Sequence, residues 1–150
     1  MNKILEWTMH SVFPSIAEYS IGFEDILQVI ERNSTTAVLI HTLPETEQEV
    51  LIKGTLTAKE EEKWMDKYLS GELQQEYTFF IYGRHSCDDT PRKKRNQLIS
   101  LGISDVYIYT GGLFEWLLLQ DIYGETEFPT RGGKPKDLLH YRPSLKRTGL

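Results

Sequence analysis

At 150 residues, with 39% apolar and 26% charged side chains and a formal charge of −5, the chain is long enough to bury one core and has the composition of a single globular domain. No apolar run reaches the roughly eighteen residues of a membrane span, and the N-terminus lacks the charged-then-apolar order of a secretion signal. The lone Cys87 excludes an internal disulfide and any all-cysteine metal site, so a cytoplasmic protein with no membrane contact is expected.

Residues 1–19 precede any repeating pattern and are read as an N-terminal extension. Phe23 to Ile30 has the apolar spacing of an amphipathic helix, and Thr36 to Ile40 is a short β-branched run that reads as a buried strand. Thr57-Ala-Lys-Glu60 is a capping box, in which hydroxyl and carboxylate satisfy the free amides of a helix start. It opens a helix to about Leu69, which Ser70-Gly71 stops. Thr78 to Tyr82 is a second buried strand. Pro91 suits the first turn of a helix capped by Asp89 or Thr90, with Leu98, Ile99 and Leu101 as its apolar face and Gly102 at its end. Val106 to Tyr109 is a third strand and Leu113 to Ile122 a further helix. Strands alternating with helices predict an α/β fold with a central, mainly parallel sheet and helices on both faces.

From Phe128 onward, Pro129, Gly132, Gly133, Pro135 and Pro143 break regular structure, so residues 124–150 are expected to form a basic extension wrapped on the surface. Between Arg131 and Leu150, six basic residues stand against Asp137, which gives this stretch +5 and the remainder −10. Such a tail can contact nucleic acid, an anionic surface or the acidic body of its own chain. Sparse aromatics in the tail and the acidic remainder argue against nucleic acid.

In open α/β sheets, ligands sit where strands end and loops feed helix N-termini. The loop after Tyr82 is therefore the candidate anion-binding site: Gly83, Arg84, His85, Ser86, Cys87, Asp88, Asp89, Thr90 and, one turn into the helix, Arg92. Backbone amides and a helix start can converge there on an anion or a thiolate.

Phe79-Phe-Ile-Tyr82, this loop, the helix ending at Leu101-Gly102, and Val106-Tyr-Ile-Tyr-Thr-Gly-Gly-Leu-Phe-Glu-Trp116 resemble the second half of rhodanese-like domains. Gly111-Gly112-Leu-Phe-Glu-Trp116 is the most specific part: the glycines allow a tight turn, and Trp116 supplies a large apolar plug. In the first half, Ala37 to Ile40 is the strand. His41-Thr42-Leu43 stands where such domains carry Asp-Val-Arg, and Leu51-Ile-Lys-Gly-Thr55 where they carry His-Ile-x-Gly-Ala. The resemblance spans about Ser20 to Tyr123 and implies a rhodanese-like fold for residues 20–123. It also implies a site in which a cysteine directly after the strand carries sulfur as a persulfide.

That position is Gly83, which has no nucleophile. The expectation is thus a pseudoenzyme, a module that binds a small anion or a protein segment at the loop. The alternative is a thiosulfate-type sulfurtransferase using the displaced Cys87 as catalytic residue. Cys87 and Arg92 keep a Cys-x4-Arg spacing, but that register would force Arg84, His85 and Ser86 into the buried strand. Asp88 and Asp89 disfavour a thiolate, whereas Arg84, His85, Arg92 and the helix start favour one. A phosphatase-like Cys-x5-Arg would put Lys93 in the arginine's place. His85, Cys87, Asp88 and Asp89 are too close in sequence to converge on one metal, so no metal and no cofactor is expected. Arg92-Lys-Lys-Arg95 reads as a solvated helix face, and His41, which ends its buried strand near the same edge, reads as a structural histidine, with a side chain facing the loop as the alternative.

Overall fold

The computed structural model of the chain describes residues 16–144. In order they form α1 (Ile16–Tyr19), β1 (Ser20–Ile21), α2 (Phe23–Arg32), β2 (Ala37–His41), β3 (Leu51–Ile52), α3 (Ala58–Leu69) and β4 (Thr78–Tyr82). There follow α4 (Thr90–Ser100), β5 (Val106–Tyr109), α5 (Gly112–Tyr123) and β6 (Thr130–Arg131), with 3-10 turns at Glu45–Glu47 and Leu138–Tyr141. The main sheet runs β1-β5-β4-β2 with every neighbouring pair parallel, and a single parallel bridge from Leu39 to Thr55 extends it past β2. β3 and β6 form a separate antiparallel pair.

The strand runs are apolar throughout because the sheet is covered on both faces, and alternate side chains feed two cores. Val38, Ile40, Phe79 and Ile81 pack with Val106, with Leu98 of α4 and with Trp64 of α3. Leu39, Tyr82 and Tyr109 turn the other way, onto Ile26 of α2 and onto Leu113, Trp116 and Leu117 of α5. The capping box forms as the sequence predicts: Thr57 Oγ1 accepts the Glu60 amide at 3.2 Å, and the Thr57 amide donates to Glu60 at 3.3 Å.

The C-terminal stretch departs from the expected surface extension. Phe128 and Tyr141 are each only 5% exposed and belong to the core. The Phe128 ring meets Trp116 edge-on with centroids 5.1 Å apart, and Gln120 and Trp116 donate from their side chains to the carbonyls of Phe128 and Pro129. The breakers stop helices but leave an irregular segment free to cover the apolar face of α5. Arg131 also docks on the acidic body, reaching the Thr55 carbonyl at 2.8 Å and Glu60 at 3.3 Å, while Lys134 pairs with Glu125 at 3.2 Å within the C-terminal stretch itself. Lys146 and Arg147 of the tail, and most of the N-terminal extension, lie outside the described residues. Among the described residues no helix is long and apolar enough to cross a membrane.

Candidate functional site

β4 carries Gly83 to the C-terminal edge of the sheet, where the chain turns through the loop into α4. The carbonyls of Gly83 and Arg84 accept the amides of Leu113 and Phe114 at 2.9 and 2.8 Å, so the loop is docked on the first turn of α5. Gly112 makes this approach feasible. Its φ is +70°, and a Cβ there would stand 2.8 Å from the His85 nitrogen and 3.0 Å from the Gly83 carbonyl. The glycine pair that the sequence marks as a tight turn is thus also the seat of the loop.

The centre of the loop is filled by Asp88. One carboxylate oxygen accepts the Arg84 amide at 3.0 Å, and the other accepts the Thr90 amide and hydroxyl at 3.0 and 2.7 Å. Burial works against this charge, but the two amides, the Thr90 hydroxyl and nearby His85 outweigh it and hold the carboxyl below its ordinary range. A side chain on Gly83 would collide with that carboxylate and come within 2.9 Å of Pro91. The Asp88 carboxylate therefore holds the start of α4, where the sequence predicts Asp89 or Thr90 as the cap. Asp89 makes no side-chain cap and pairs instead with Arg92 at 3.4 Å and Lys93 at 3.7 Å. The backbone favours the earlier residue, because its carboxylate reaches loop amides on both sides.

His85, Cys87, Asp88 and Asp89 do not converge, and no cluster of three such residues able to hold a metal forms among the described residues. His85 Nδ1 accepts the Cys87 amide at 3.1 Å, which commits that nitrogen to backbone rather than to the thiol. Cys87 is exposed, with Ser86 Oγ 4.0 Å from its sulfur. The thiol borders a cavity of about 200 Å³ whose apolar wall is Tyr19, Pro91, Ile108 and Tyr109 and whose polar rim includes His85 and Arg92. Tyr19 is braced by Arg95, whose guanidinium lies 3.7 Å above its ring. Tyr19 had no signal in the sequence as a site residue, whereas Tyr109 ends a buried strand and could have been read as facing the loop.

Arg84 turns away from this cavity. Its Nε lies 2.7 Å from Glu47 and its Nη2 donates to the His140 carbonyl at 2.7 Å, while His140 Nε2 lies 3.1 Å from the same carboxylate. The Arg84–Glu47 contact is an ion pair whose angles fall outside hydrogen-bond geometry. Neither Glu47 nor His140 carries a local sequence signal, since they meet Arg84 only through the fold. His41, buried at the end of β2, accepts the Leu43 amide through Nδ1 at 3.0 Å; burial, aided by Lys94, brings its pKa down to about 4. Thr42, the next residue, shares a 2.8 Å hydrogen bond with Thr90 and so ties β2 to the loop.

No family model matches the chain, and a search of curated proteins finds no match. Solved structures do resemble it. A full-length protein from Lactobacillus plantarum, 16% identical, superposes with a TM-score of 0.58 over 87% of this chain and 98% of that one. A protein from Bacillus halodurans gives 0.54 at 14% identity over 82% and 84%. A rhodanese-like domain from Anabaena sp., solved by NMR, gives 0.53 at 20% identity over 86% and 92%. At these identities the likeness is one of fold, and the fold is the rhodanese-like α/β fold.

Proposed function

We propose that this chain is a rhodanese-like binding module without the fold's persulfide chemistry at the loop, and that it recognises a protein segment at the cavity beside Cys87. The observation that carries this reading is the Asp88 carboxylate, which fills the space beside Gly83 where a sulfur-bearing side chain would stand. Amides that would grip a small anion at Arg84 and Thr90 already hold that carboxylate, which favours the protein segment over the anion. The apolar wall of Tyr19, Pro91, Ile108 and Tyr109, rimmed by polar groups, suits an inserted side chain. The lone thiol fits a cytoplasmic setting.

Sulfur transfer from thiosulfate to cyanide, assayed on wild type and Cys87→Ser, tests the reading. The expected result is no turnover above background in either protein. Robust turnover that disappears on substitution would overturn it.

A second reading rests on the exposure of Cys87 at that cavity. Its thiolate would attack the outer sulfur of thiosulfate, release sulfite and keep a persulfide for an acceptor thiol or cyanide. Mass spectrometry after incubation with thiosulfate would then show one added sulfur on Cys87. An unmodified thiol, where a control rhodanese is labelled, removes this alternative.

A further inference from the structure

The first turns of α4 separate two concavities. Pro91 and Arg92 face the cavity already described, and Thr90, Lys93 and Lys94 face a broader open groove of about 520 Å³. That groove runs between the end of β2, the first turn of α3 and α4, and is lined in part by His41, Thr42, Gln48, Glu61, Lys93 and Lys94. Its volume is in the range of small-ligand sites.

His41 is 6% exposed, and because its Nδ1 accepts the Leu43 amide, the ring proton belongs on Nε2. That Nε2 has no acceptor. Two other buried side-chain atoms, Arg84 Nε and Glu47 Oε2, also lack an aligned hydrogen bond, but they face each other as an ion pair at 2.7 Å. His41 Nε2 is therefore the one buried side-chain donor with no counterpart among the described residues, and His41 is one of the residues that line this groove. Buried donors of this kind are rare in folded proteins, and each needs an acceptor from somewhere.

The surroundings indicate which acceptor. Lys93 is 71% exposed and held only at 3.7 Å by Asp89. Lys94 is paired with Glu61 at 2.5 Å on the groove wall. The Thr42 and Thr90 hydroxyls bond to each other, and the Thr90 hydroxyl donates a hydrogen bond to Asp88, so both are already engaged elsewhere. A ligand oxygen bearing negative charge would meet an N–H donor below and, at the rim, the exposed Lys93 ammonium, which Asp89 holds at 3.7 Å. A cation would meet Lys93 and Lys94 instead.

We infer that this groove is a second binding site, for a small oxyanion, phosphate or carboxylate, with His41 Nε2 as the donor at its floor and Lys93 as its charged rim. The ligand shifts the Lys94–Glu61 side chains to reach the ring. The site lies apart from the loop cavity and stands whether or not that cavity binds a protein segment.

The test is a titration of the 150-residue chain, labelled with 15N, with inorganic phosphate and separately with succinate, against sodium chloride at matched ionic strength. The His41 ring nitrogens are followed by NMR. The expected result is a saturating shift of the Nε2–H signal with one of the two probes, which identifies the ligand as phosphate or carboxylate. Lys93→Glu should weaken that binding by about tenfold, the size expected for losing a charge-assisted contact. His41→Phe should abolish it while the amides of the loop cavity keep their shifts. Shifts that do not saturate, or that match chloride, overturn the proposal. So does saturable binding that survives Lys93→Glu and His41→Phe unchanged. Should His41→Phe not fold, Lys93→Glu and the wild-type ring signal decide alone.

Discussion

The carboxylate of Asp88 and the missing side chain of Gly83 occupy one space: any Cβ at Gly83 would run into the oxygen that accepts the Arg84 amide. The glycine and the aspartate are therefore coupled, and substituting one changes what the other must do. Gly83→Ala is expected to destabilise by about 1–3 kcal/mol as an overpacked substitution. In an Asp88→Ala background the cost of adding the methyl should shrink without vanishing, because Pro91 still stands 2.9 Å away. A double-mutant cycle by urea denaturation measures this, and strict additivity of the two substitutions would contradict it. Restoring a nucleophile by Gly83→Cys should likewise fail to restore sulfur transfer unless Asp88 is also removed.

The pH profile of stability should show two windows. His41 has a folded pKa of about 4 against an ordinary 6.5. Below that ordinary value the unfolded chain binds a proton that the fold refuses, so stability is full above it and falls as pH drops toward 4. The loss is at most about 3 kcal/mol. Asp88 acts lower: its depressed carboxyl contributes stability above an ordinary 3.8 that is lost as pH falls through the folded value. Thermal unfolding from pH 7 to pH 4 should flatten in His41→Gln and keep its slope in Asp88→Asn.

Gly112→Ala should cost about 1–3 kcal/mol from its left-handed backbone alone. The approach of the His85 nitrogen to 2.8 Å adds to this. Because Gly112 seats the loop, hydrogen exchange at Leu113 and Phe114 should rise along with the loss in denaturation midpoint. A stability change without faster exchange there would mean that the loop and α5 are not joined in this way.

Glu47→Ala should leave the Arg84 guanidinium facing a partly enclosed gap, at a cost of about 1–2 kcal/mol. The expected signature is local, with faster exchange from Arg84 to Asp88 and a smaller effect of salt on stability than in the wild type.

How far the sequence reaches differs from element to element. β4 and β5 have the predicted boundaries because central parallel strands are continuous apolar runs with polar edges, a pattern with few alternatives. The Thr57 box is equally local, four residues that satisfy one another. β2 lies one residue later than Thr36–Ile40, since His41 is buried and the polar histidine hides the strand's true end. Asp89 and Thr90 are the expected caps because they stand just before Pro91; only the path of the backbone turns the Asp88 carboxylate inward instead. Phe128 and Tyr141 escaped notice for a related reason, sitting among prolines and glycines where no period marks an aromatic as buried. Glu47 and His140, 93 positions apart, share no local pattern at all.

The pairing of β3 with β6 also bears on how the molecule comes into being. Leu51 and Ile52 wait for Arg131 and Thr130, and Trp116 for Phe128, so a ribosome must deliver most of the chain before the core around α5 can close. Until then the nascent chain carries an open apolar flank, a interval in which chaperone binding or aggregation competes with folding. Nonsense or frameshift lesions between Gly124 and Phe128 should accordingly yield a product cleared by proteolysis rather than a shortened working domain.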